Sequence, residues 1–109
     1  MFDFLFDAPY EERKVDRYEA IGLTVDTCSV NDGEHPYETA VAHKEYDSGG
    51  WIIVEAYDTK EDAQIGHDKW VKIMTTEPLP EKLVDCMNAE ISKWFSDTEV
   101  FYRTQIAKN

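Results

Sequence analysis

Cysteine is scarce, basic residues are few and no long apolar run exists, and each shortage removes a class of protein. The two cysteines, Cys28 and Cys86, lie far apart and form no CxxC pair. A structural zinc site needs closely spaced pairs, and a disulfide needs Cα atoms within about 7 Å. We read both as reduced, mostly buried small hydrophobes in a cytosolic setting. The chain has no GxxxxGK[ST], GxGxxG or GxSxG, so neither a phosphate cradle nor a nucleophile elbow is present. Gly49-Gly50 reads as a hairpin turn before a strand. Met1 to Asp7 is apolar, but it lacks basic residues, is broken by Asp3 and is too short for a signal peptide or membrane span. There is no internal repeat, low-complexity segment or linker, so the 109 residues read as one domain.

What is abundant is negative charge. Aspartate and glutamate number 23 against 11 lysines and arginines, a formal net charge of −12. Residues 1–57 hold 13 of the acids and four of the bases, so three quarters of the excess precedes Asp58. Such a chain repels nucleic-acid phosphate and anionic membrane, and favours a basic protein partner or simple solubility. Aromatics make up 13% of the residues, enough large side chains for one core or a contact surface.

The hydrophobic spacing predicts an α+β fold, an antiparallel three- or four-stranded β-meander followed by two α-helices on one face. Pro9 to Glu12 reads as a turn or one helical turn, and residues 13–19 as strand or helix. Leu23 to Val30 alternates with β-branched residues, a strand. A turn-rich loop at 31–36 leads to a strand from Tyr37 to Tyr46. After Asp47 to Gly50, Trp51 to Tyr57 is the clearest strand of the chain. Its purely apolar side, Ile52, Val54 and Ala56, is expected to meet the helices, which leaves Trp51, Ile53, Glu55 and Tyr57 outside.

The period then changes. Thr59 and Asp62 resemble a capping box, and Ala63, His67, Trp70 and Met74 recur on one helical face. Gly66 costs such a helix about 1 kcal/mol relative to Ala, which a close helix–sheet approach would explain. Pro80 is expected near the start of a second helix with Val84, Met87, Ile91 and Trp94 or Phe95 on its apolar face. The tail from Glu99 to Thr104 reads as an edge strand or a packed segment.

No catalytic set, metal site or cofactor emerges from these residues. His67 lies on the core-facing stripe, where a buried, hydrogen-bonded structural histidine is the better reading. His35 and His43 lack a third ligand at suitable spacing. Neither cysteine is framed by a nucleophile motif. The candidate binding residues are therefore Trp51, Glu55 and Tyr57 on the sheet and Phe2, Phe4 and Phe6 in the apolar start. The three phenylalanines either dock on the domain's own core or anchor another subunit. Gly66, His67 and Trp70 are assigned structural roles.

Tyr37-Glu38-Thr39-Ala40-Val41, the strand from Trp51 to Tyr57, and Thr59, Glu61, Ala63, Gly66 and His67 carry a resemblance. They are similar to a group of short, mostly uncharacterised proteins encoded by tailed phages and prophages. That group shares a YET-type strand and a T-x-E-x-A-x-x-G-H helix start, and the likeness spans roughly residues 10–75. It implies that Gly66 and His67 hold the helix start against the sheet and that residues 13–19 form a strand. It brings no catalytic residues. With the acidity, it suggests a virion structural or assembly component that binds other virion subunits. The alternative is an acidic nucleic-acid mimic that inhibits a host defence complex, as anti-CRISPR proteins do. A small enzyme using cysteine or histidine is a distant third. The expected location is the virion or the bacterial cytoplasm, and self-association is open.

Overall fold

The computed structural model describes residues 10–30, 35–86 and 99–104. A single helical turn, α1 (Tyr10–Arg13), leads into β1 (Lys14–Ala20), β2 (Leu23–Ser29), β3 (Tyr37–His43) and β4 (Trp51–Tyr57). These four strands form one antiparallel sheet in sequence order. The β1–β2 hairpin turns at Ile21-Gly22, where Gly22 has φ 77°, a conformation that glycine adopts without a Cβ penalty. β3 ends at His43, and a 3-10 turn at Asp47–Gly49 brings the chain back into β4.

α2 (Lys60–Thr75) packs across one face of the sheet. Thr59 caps it, with Oγ1 accepting from the Asp62 N–H at 3.0 Å. Ala63, Gly66, His67 and Met74 are its buried positions and Trp70 is half-buried, so the stripe read from the sequence is the face that meets the sheet. Leu23, Val25, Val41 and Ile52 face it from the strands and pack with Tyr46, Met74 and Leu83. Fully burying each such aliphatic side chain contributes about 1.5–3 kcal/mol.

The second helix does not start where the spacing predicted. Lys82–Val84 forms a short strand, β5, paired antiparallel with β6 (Val100–Tyr102) in a separate two-stranded ribbon. Leu83 is buried while Lys82 and Val84 are exposed, a period of two that three residues cannot announce beforehand. Proline's fixed φ at Pro80 suits an extended entry as well as a helical one, and the pairing partner lies far along the chain. Met87, Ile91, Trp94 and Phe95 lie outside the described residues. The ribbon places Leu83 and Phe101 against the core. The Tyr46 hydroxyl, at the other side of that contact, donates to the Pro80 carbonyl. No helix among the described residues is long and apolar enough to cross a membrane.

Candidate functional site

β4 reverses its facing partway along. Ala42 and Val41 pair with Trp51 and Ile52, but Thr39 pairs with Glu55 and Ala40 with Ile53, so Val54 is an extra residue on β4. Such a bulge shifts every later side chain to the opposite face. Glu55 and Tyr57, expected outside, therefore point at α2. Ala56, expected to meet the helix, pairs with Glu38 on the other side. Ile52 is fully buried as expected, and Val54 is partly buried against the same core. Trp51 stays outside, 51% exposed. Phe2, Phe4 and Phe6 lie outside the described residues.

The bulge gathers polar side chains between sheet and helix. His67 on α2 is 2% exposed, and its Nδ1 lies 2.8 Å from Thr27 Oγ1. Thr27 Oγ1 lies 2.6 Å from Thr39 Oγ1, which lies 2.9 Å from the Tyr57 hydroxyl. Tyr57 donates to Glu55 Oε1 at 3.2 Å. The same carboxylate oxygen accepts from Trp70 Nε1 at 2.8 Å and pairs with Lys69 Nζ at 2.6 Å. At the opposite end, His67 Nε2 faces Asp16 Oδ2 at 3.8 Å, and Gln64 Nε2 donates to that oxygen at 3.0 Å. A second bulge makes this possible, since Asp16 pairs with Thr27 while Lys14 pairs with Cys28. The result is a continuous polar row from β1 to β4 beneath the helix.

Gly66 lets α2 approach that row. A Cβ there would overlap the Tyr57 ring, so the helix can sit this low only where the side chain is a hydrogen. Burial pushes the Tyr57 phenol well above its ordinary value. The Gln64 amide holds the Asp16 carboxyl below its ordinary value, against partial desolvation. Desolvation opposes ionisation of Glu55, yet its bonds from Lys69 and Trp70 more than offset this and hold it low as well. No buried side-chain polar atom among the described residues lacks a partner.

The arrangement has an Asp–His–Thr order, but Thr27 and Thr39 are fully buried, so neither hydroxyl meets a solvent-borne substrate. The other thiol and imidazole groups do not join it. Cys28 and Cys86 are free and half-buried rather than buried, and desolvation raises both thiols. His43 Nδ1 accepts from the Glu45 N–H at 3.0 Å, and exposed His35 lies 2.6 Å from Asp58. No group of three metal-binding side chains occurs among the described residues.

The opposite face of the sheet is divided. Toward β1 and β2 it is charged: Arg17 meets Glu19 at 2.5 Å and Asp26 at 3.2 Å, and Tyr10 donates to Asp26 at 2.7 Å. Toward β3 and β4 the register sets Ala42 beside Trp51 and Ala40 beside Ile53, an apolar strip with the indole at its edge. Thr27, Thr39 and Asp16 were missed from the sequence. The available signal was two threonines at inward positions of adjacent strands. No family model matches the chain, and no curated protein or solved structure resembles it closely enough to count as a match.

Proposed function

We propose that the chain is a non-catalytic protein-binding domain and serves as a small virion structural or assembly component. The observation that carries the reading is Trp51, half-exposed on the edge strand β4 beside Ala42, with Ile53 and Ala40 in the next row. Tryptophan is among the residue types that carry most of the binding energy at protein interfaces. The histidine and hydroxyls with the most enzyme-like order are enclosed beneath α2, which favours a structural use for them. The phage setting rests on the strand and helix-start residues quoted above and on nothing else.

Four of the acids around the sheet are already engaged within the domain and do not favour the nucleic-acid mimic. Asp26 and Glu19 are engaged by Arg17, Asp16 by Gln64, and Glu55 by Lys69 and Trp70. A phosphate mimic presents its carboxylates free to a basic groove. Mass spectrometry of purified particles tests the assignment. The chain is expected among the particle proteins, and Trp51→Ser is expected to remove it from them without unfolding it. Absence of the unmodified chain from particles overturns the virion role.

A further inference from the structure

The outer face of the sheet ends in an apolar strip, and the start of the chain enters on that same face. Arg17, Asp26, Ala40 and Ile53 are successive partners across β1 to β4, and Glu19, Thr24, Ala42 and Trp51 make the neighbouring row. Each row passes from charged or polar residues on β1 and β2 to apolar ones on β3 and β4. Tyr10 stands at the polar end. Its hydroxyl donates to Asp26 at 2.7 Å, and the Arg17 guanidinium lies 5.9 Å from its ring centre. Residues 1–9 therefore join the described chain beside the first row, at β2.

Reach and pattern both match the strip. β4 lies two strand spacings from β2, about 10 Å. Phe6 precedes Tyr10 by four positions and Phe2 precedes it by eight, spans of up to about 14 Å and about 28 Å of extended chain. Phe2, Phe4 and Phe6 alternate with Asp3, Leu5 and Asp7. In extended form the three rings fall on one side and both aspartates on the other. Ala40 and Ala42 are small and leave room beside the Trp51 indole, which is 51% exposed. Aromatic rings add offset or edge-on contacts to the area they bury there. No charged side chain belongs to the β3–β4 part of the two rows, so a ring that settles on it displaces no ion pair.

We propose that residues 2–6 are the intramolecular occupant of this strip. Their phenylalanine rings cover Ala40, Ala42, Trp51 and Ile53 in the free chain, and a protein partner reaches Trp51 by displacing them. That displacement rests on the reading of Trp51 as the docking anchor, whereas the cover itself does not. The other apolar stretch outside the described residues, 87–98, is held at both ends on the ribbon, where the Asp85 N–H donates to the Glu99 carbonyl at 2.9 Å. Leu83 and Phe101 of that ribbon pack into the inner layer, on the other side of the sheet. A second copy of the chain is disfavoured by the net charge of −12 on each.

The test is NMR of the isotope-labelled full chain. Nuclear Overhauser contacts are expected from the rings of Phe2, Phe4 and Phe6 to the methyls of Ala40, Ala42 and Ile53, independent of protein concentration. Phe2→Ser/Phe4→Ser/Phe6→Ser is expected to remove them and to shift the Trp51 indole N–H, with the α2 amides unmoved. In mixtures of labelled and unlabelled chain, contacts that cross only between chains overturn the proposal in favour of a second copy. Contacts from Trp94 or Phe95 in place of the three phenylalanines overturn it too, as does a strip that no ring approaches. These readouts come from the unmodified chain, so they decide the matter even if the variant fails to fold. Displacement is read separately, in particles. The triple variant is expected there at or above the level of the unmodified chain, and its loss overturns displacement. Absence of the unmodified chain from particles overturns the virion reading alone, because the ring contacts are measured without particles.

Discussion

Val25, Val41 and Ile52 form one row across the inner face of the sheet, and Thr27, Thr39 and Glu55 form the next. The rows are two residues apart on β2 and β3 and three apart on β4, because Val54 is the bulged residue. The first row is held by burial, which is non-directional and scales with area. The second is held by hydrogen bonds whose direction, donor count and charge must all agree. The same helix therefore rests on two kinds of support. One responds to lost volume, and the other to a lost hydroxyl, an added methyl or a change of protonation.

The largest expected loss lies in the apolar row. Ile52→Ala is expected to cost about 3–4 kcal/mol, read from urea unfolding, because a fully buried side chain leaves a cavity. Nearly as large is Gly66→Ala, about 3 kcal/mol, since the new methyl falls within the Tyr57 ring and lifts the helix. Ordinary helix propensity predicts the opposite sign for this change, so a stabilised variant would refute the close approach.

Thr27→Val and Thr39→Val keep shape and remove a hydroxyl. Each is expected to cost about 1–3 kcal/mol, because its neighbours lose a buried partner. The double variant should cost less than the sum by at least about 0.5 kcal/mol, the mark of one shared network. Strict additivity would mean that the row is no more cooperative than its apolar neighbour.

The smallest expected effect is on acid stability. Folding holds the Asp16 and Glu55 carboxyls below their ordinary values. Their contribution is therefore complete above the ordinary carboxylate range, near pH 4, and fades as pH falls through the lower folded values. Both side chains are partly exposed, 47% and 34%, so solvent screening limits the pair to about 1 kcal/mol. Urea midpoints of the unmodified chain and of Asp16→Asn/Glu55→Gln should converge on acidification. A constant gap would place the effect in packing instead of charge.

Much of the fold was legible along the chain. The alternation at Leu23 to Val30 and the stripe Ala63, His67, Trp70 and Met74 each repeat at the period of one element, and the apolar run at Trp51 to Tyr57 marks a strand by its composition. The burial of His67 followed from that stripe, and the close approach at Gly66 from the cost of a glycine inside a helix. The facing of Glu55 and Tyr57 did not follow, because a bulge exists only relative to a partner strand. Nor did β5, whose three residues take their identity from Val100–Tyr102.

The line between the two is drawn by distance along the sequence. Periodicity, capping at Thr59 and the turn at Gly22 act among near neighbours, and they are written in local residue order. The polar row joins side chains 12 residues apart at Thr27–Thr39, 40 at Thr27–His67 and 48 at Asp16–Gln64. Their donors and acceptors become a chain only once strand register and helix height are set. No local pattern of the sequence encodes that row, because it belongs to the assembled layer and not to any one of its segments.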